Sequence, residues 1–251
     1  MRIKGLYNVP SYSDFGLSLA KGLLESGLEL ADSKILLPNR RACRGLQTTF
    51  LRLREGEAML MPRLVPMGDL SDEDAVGESI AGGIEEALLS DADLDLPDAW
   101  PKHLRDSMLA ELVAKTDSSL RPDHVMALAQ ELARLMDQIE TEGLDASRLE
   151  TLVEEAEYAD HWGKSLRFLR ILYTFWPEIE AQQGYISPAK RRRLSVENQI
   201  QQWRLAPPEF PVIAAGSTGS IPSTRALLSA VLKLPLGAVV FPGLDTELPT
   251  K

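Results

Sequence analysis

The stretch Val212-Ile213-Ala214-Ala215-Gly216-Ser217-Thr218-Gly219-Ser220-Ile221-Pro222-Ser223-Thr224 decides the fold. Its four leading apolar residues predict a short buried strand. The glycines and hydroxyls that follow predict a loop, and Ser220 or Ser223, with Pro222 in the first turn, predicts the start of a helix. Strand, glycine-rich turn and helix make the unit of an α/β sheet, which gathers ligands at the carboxyl ends of its strands. Backbone N–H groups beside a helix N-terminus suit a phosphate, so the loop 216–220, from Gly216 to Ser220, is a candidate anion loop. A plain tight turn uses the same residue types.

Outward from this stretch the pattern repeats. A helix over 225–233 and a strand over 238–241 follow it, ending at Pro242-Gly243-Leu244-Asp245. At the other end of the chain, residues 4–9 predict a strand. Pro10-Ser11 ends it, and Ser13 is the expected cap of a helix carrying Phe15, Leu19, Leu23 and Leu24 on one face. Residues 34–37 predict a second strand, after which Pro38-Asn39-Arg40-Arg41-Ala42-Cys43-Arg44 leads into a helix with Leu46, Phe50 and Leu53 inside. The apolar run 59–67, interrupted by Pro62 and Pro66, predicts an irregular or edge strand.

Between these parts the sequence reads as helices. Leu104, Met108 and Leu112 form one stripe; Val125, Leu128, Leu132, Leu135 and Ile139 form another, begun by Pro122 and stopped by Gly143. A short acidic helix is expected over 147–158. Trp162, Leu166, Leu169, Leu172, Tyr173 and Trp176 form an aromatic-rich core stripe that Pro177 bends or breaks. Ser187-Pro188 opens the last helix, which carries Lys190-Arg191-Arg192-Arg193, and Pro207-Pro208 closes the block. The expected architecture is therefore α/β. A mainly parallel sheet is built from residues 1–99 and 207–251, with an all-helical subdomain, 100–206, inserted in it.

Composition narrows the chemistry. The chain of 251 residues has a net charge of −10, which argues against a nucleic-acid partner until its distribution is considered. Eleven carboxylates (Asp69, Asp72, Glu73, Asp74, Glu78, Glu85, Glu86, Asp91, Asp93, Asp95 and Asp98) fall between Leu64 and Pro101, where no Lys or Arg occurs. The remainder is close to neutral, so basic patches elsewhere are admissible. The acidic run reads as a solvated connection. No apolar run approaches the roughly 20 residues of a membrane span, so no membrane partner and a cytoplasmic location are expected. The single Cys43 and the scattered His103, His124 and His161 offer no metal-ligand spacing.

Catalytic motifs fail on missing partners. Ala215-Gly216-Ser217-Thr218-Gly219 approaches a nucleophile elbow, but no histidine follows Ser217 to serve as base. The turn after the first strand is where a phosphate-binding loop would place glycines and a lysine. It reads Asn8-Val9-Pro10-Ser11-Tyr12-Ser13-Asp14, with neither. No acidic pair follows Val212-Ile213 to hold Mg²⁺. Arg40, Arg41 and Arg44 sit at a helix start, where cations oppose the macrodipole, and an anion such as a phosphate backbone would compensate them. Surface carboxylates would do the same.

Residues 36–44, Pro62-Arg63-Leu64, His161-Trp162 with the stripe through Leu172, residues 212–222 and Pro242-Gly243-Leu244-Asp245 together resemble the N-terminal part of the AddB family, alphaproteobacterial type. The resemblance implies a RecA-like, superfamily 1 helicase-like module belonging to a subunit of a DNA double-strand break repair helicase-nuclease. It also implies a longer parent, an ATP-dependent exonuclease subunit with a second helicase-like half and a C-terminal nuclease, so that this chain is expected to be a fragment. Asn39, Arg40, Arg41 and Arg44 would then match the turn where active relatives touch single-stranded DNA, and Ser217 and Thr218 the region following the Mg²⁺-binding strand. The expected partners are DNA, as a single strand or break end, and an AddA-type motor subunit. The absent lysine loop implies a module without catalysis and without a cofactor of its own. The alternative is an α/β domain that binds a small phosphorylated ligand at the loop 216–220.

Overall fold

A computed structural model describes residues 4–55, 57–67, 96–144 and 168–244. In chain order the first elements are β1 (Gly5–Val9), α1 (Phe15–Glu25), β2 (Lys34–Leu37), α2 (Arg40–Leu53), β3 (Arg63–Pro66) and β4 (Asp98–Ala99). They are followed by α3 (Lys102–Thr116), α4 (Pro122–Thr141), α5 (Trp176–Gln183), β5 (Tyr185–Ile186) and α6 (Pro188–Leu205). The last are β6 (Val212–Ala215), α7 (Pro222–Lys233) and β7 (Gly237–Pro242). The residues of the acidic run up to Asp95, the helix expected over 147–158, and His161, Trp162, Leu166 and Asp245 lie outside the described residues.

The protein is α/β. Five strands form a parallel sheet in the order β1-β7-β6-β2-β3. Every residue of β2 and β6 is buried, the pattern of strands covered on both faces. Alternation along the strands divides the core in two. Ile35, Leu37, Ile213, Ala215, Ala238 and Val240 face Leu19 and Leu23 of α1 and Leu46 and Phe50 of α2. Leu36, Val65, Val212, Ala214 and Val239 face Val196, Ile200 and Trp203 of α6 and Leu227, Leu228 and Val231 of α7. Phe50 is fully buried, and one aromatic ring so placed contributes on the order of 2–3 kcal/mol.

The chain divides into two compact units, Met1–Leu94 with Ser195–Lys251, and Asp95–Leu194. In the second, α3 and α4 pack through Leu109, Val113, Ala129, Leu132 and Ala133 with Ile171, Leu172 and Trp176. Trp100 closes this core, its ring centroid 5.2 Å from Trp176 and 4.9 Å from Tyr185. The short parallel pair β4–β5 holds it there, with Trp100 N–H donating to Ile186 O at 3.0 Å. Pro177 does not break its helix. Residues Ile171–Phe175 widen into a π turn ahead of it, which accommodates a ring that would clash with the carbonyl four residues back and an N–H that proline lacks.

Two helix starts differ from expectation. Asp14, not Ser13, caps α1, its Oδ1 accepting the Leu17 N–H at 2.8 Å; the Ser13 N–H is engaged with Pro10 O in the preceding turn. The N-cap of α7 is Ile221, which has no side-chain acceptor, so neither Ser220 nor Ser223 caps that helix. Pro222 in its first turn removes one unpartnered donor instead.

Candidate nucleic-acid interface

Because all five strands run the same way, the loops that leave β1, β2, β6 and β7 emerge at one edge of the sheet. Three of them meet at Gly216. The chain leaves β6 there with φ 82°, and a Cβ at this position would lie 3.1 Å from Phe15 and 3.4 Å from Pro38. Only glycine fits both the left-handed backbone and this approach. The fourth loop joins at Gly243, where a Cβ would lie 3.1 Å from Ser11 Cβ.

The loop 216–220 is braced by its own groups. Gly216 N–H donates to Val240 O at 3.0 Å, extending the β6–β7 ladder, and Gly219 N–H donates to Ser217 Oγ at 3.3 Å. Arg225 of α7 turns back on the loop, donating from Nε to Gly219 O at 3.1 Å and from Nη2 to Ser220 O at 3.3 Å. Two donors that a phosphate would need are therefore already engaged. Ser217 is half-buried, whereas Thr218 and Ser220 are exposed at the edge.

The β1–α1 turn has the wrong charge for a nucleotide phosphate. Its cap is the exposed carboxylate of Asp14, at the position where the helix offers its N–H groups. The turn also presents Tyr12, 90% exposed, which no motif in the sequence marks.

The β2–α2 turn is the basic one. Asn39 caps α2 as expected, its Oδ1 accepting the Ala42 N–H at 2.8 Å, so its acceptor is occupied. Arg40, Arg41 and Arg44 are all exposed, and the first turn of α2 contains no acidic residue. Among the described residues neither Arg40 nor Arg44 has an ion-pair partner. Cys43 lies half-buried among them, and burial raises its pKa, which disfavours the thiolate.

The second basic run behaves differently. In α6, Lys190 pairs with Glu180 at 3.5 Å, Arg191 Nε donates to Pro97 O at 3.0 Å, and Arg193 pairs with Glu140 at 3.4 Å. None of these side chains is exposed, and they hold their own unit together. The structure thus separates two arginine clusters that look alike in sequence.

Among the described residues no group of three or more His, Cys, Asp or Glu side chains could hold a metal ion. No described helix is long and apolar enough to cross a membrane. Comparison with protein-family models gave no match, and comparison with curated proteins gave none.

Proposed function

We propose that this chain is a RecA-like, superfamily 1 helicase-like module that guides a DNA strand without hydrolysing nucleotide, and that docks a motor subunit of AddA type. In this reading the segment expected at 100–206 is a helical subdomain inserted in the sheet, with its end drawn back to Leu194, because Val196, Ile200 and Trp203 of α6 pack on the strands. The whole belongs to the N-terminal part of an AddB-type subunit working on double-strand breaks in the cytoplasm.

The observation that carries the proposal is the meeting of Phe15, Pro38 and Gly216 at one edge, beside exposed Arg40, Arg41 and Arg44. Lysine and arginine supply most of the affinity for a phosphate backbone. An edge with cations on one loop and a carboxylate cap in the nucleotide position suits a strand lying along it better than a nucleotide held in it. The engaged N–H groups of Gly216 and Gly219 weigh against the alternative of a small phosphorylated ligand.

The test is the affinity of the chain for an oligo-dT strand across a salt series, with Arg40, Arg41 and Arg44 intact or all changed to alanine. For single strands each lost phosphate contact lowers the slope of log K against log salt by about 0.7, so loss of all three contacts should lower it by about 2. Superimposable curves would remove these arginines from the path. Binding to the motor subunit without any binding to DNA would leave docking alone.

A further inference from the structure

We infer that Tyr12 is a base-stacking platform, so that the ligand of this edge is a single strand with unstacked bases and not a duplex; this rests on the DNA-guiding reading above. The first support is exposure. Tyr12 is 90% exposed, whereas the other exposed aromatic side chains among the described residues, Tyr7 at 36%, Phe175 at 44% and Phe210 at 41%, keep more than half their surface covered. A ring so placed contributes nothing to either core.

The second support is that the backbone on both sides of the ring is fixed. Ser11 abuts Gly243, Ser13 N–H donates to Pro10 O at 3.0 Å, and Asp14 caps α1. With the turn already anchored, stacking a base on the ring orders only the two torsions of the tyrosine side chain and no further backbone.

The third support is position. Tyr12 lies three residues before Phe15, and Arg40 lies two residues after Pro38, while Phe15 and Pro38 both approach Gly216. With about 3.8 Å between consecutive Cα atoms, the Tyr12 backbone lies within about 12 Å of that of Phe15, and the Arg40 backbone within about 8 Å of that of Pro38. A strand a few nucleotides long spans both. Aromatic rings beside cations are the combination that grips single strands with little sequence preference, because every base has a π face and every residue of the strand carries a phosphate. In a duplex those faces are already stacked on one another.

The experiment uses the full chain, with Tyr12→Ala and Tyr12→Phe variants whose thermal unfolding is first matched to the parent. Fluorescence anisotropy is recorded with labelled oligo-dT, with a strand of equal length made of abasic sites, and with duplex of equal length. The expected result is a loss of about tenfold for Tyr12→Ala on oligo-dT, within the range measured for base–aromatic stacking. The salt slope should be unchanged, Tyr12→Phe should keep nearly full affinity, and parent and Tyr12→Ala should not differ on the abasic strand. Equal affinity of parent and Tyr12→Ala for oligo-dT, with an arginine-dependent slope intact, overturns stacking and leaves strand guidance standing. An equal loss on the abasic strand, or duplex bound as tightly as single strand, also overturns it. No binding of any strand by the parent at low salt overturns both.

Discussion

The side chain of Asn8 and the backbone of Leu244 bind each other twice, Nδ2 donating to Leu244 O at 2.9 Å and Leu244 N–H donating to Oδ1 at 2.8 Å. Together with Gly243 N–H, which donates to Val9 O at 2.7 Å, they prolong the β1–β7 ladder past its last paired residues, Val9 and Pro242. Asn8→Ala removes both side-chain bonds at an exposed site, where the expected loss is about 1 kcal/mol. Urea unfolding measures it, and an unchanged midpoint would mean that the clasp has no net worth.

Gly237 is required by crowding. It opens β7 under the last turn of α7, where a Cβ would overlap the Val231 carbonyl and lie 3.0 Å from Leu234 Cβ. Gly237→Ala should cost about 3 kcal/mol, at the upper end of overpacking. Gly27 is the control. Its φ is 73°, yet a Cβ there meets nothing within 4 Å, so Gly27→Ala should cost only the left-handed penalty of about 1 kcal/mol. Equal losses in thermal unfolding would contradict the packing explanation.

Lys34 is buried at the start of β2, in register with Arg63 of β3. Burial first, and then the Arg63 charge, lower its pKa to about 8. The folded chain therefore gives up this proton at lower pH than the unfolded chain, whose lysine has the ordinary value of 10.5. Below about 8 the buried charge costs stability in full, and the cost fades as pH rises toward 10.5. Lys34→Met should accordingly stabilise the chain at pH 7, with the gain shrinking through that window. Denaturant unfolding at pH 7 and near pH 10 checks this, and a gain that stayed constant would exclude the mechanism.

Arg105 and Asp137 join α3 to α4 by a two-pronged pair of 2.8 and 2.9 Å, with only 9% of the arginine side chain exposed. Asp137→Ala leaves a buried cation unpaired and should cost about 3 kcal/mol, whereas Arg105→Met combined with Asp137→Leu should restore most of that loss. A double variant as unstable as the single one would show that the pair, and not the unpaired charge, carries the energy.

The strands and the basic edge were legible because their signals are local. Residues 34–37 and 212–215 are unbroken apolar runs, and Asn39 stands one residue before a helix that needs a cap. The cap of α1 was less legible, since Ser13 and Asp14 are both good acceptors and only the turn to Pro10 O selects between them. Helix α6 was harder still. Its apolar residues Val196, Ile200 and Trp203 pack on the sheet, while Lys190, Arg191 and Arg193 are engaged within the other unit, and no periodicity reports a change of neighbour along one helix. The fate of the two arginine clusters was illegible for the same reason. The partners of Arg191 and Arg193 are Pro97 and Glu140, far away in the chain. Tyr12 carries no sequence signal of its own, because the motif expected in its turn is defined by residues that are missing.

The place of β1 bears on the order of events during synthesis. Among the described residues its neighbour in the sheet is β7 alone, and the Asn8–Leu244 pair closes across 236 residues. At roughly 10 residues per second the partner emerges some tens of seconds after β1 does. Contacts of such long range are also the slowest to form. During that interval β2 and β3 can pair, and β6 joins them only shortly before β7 is made, while Leu6, Tyr7 and the backbone of β1 stay open to chaperones. Of the five described strands of this sheet, β1 is made first and captured last, and a ribosome stalled before Gly237 would hold the described sheet without β7 and without β1 in place.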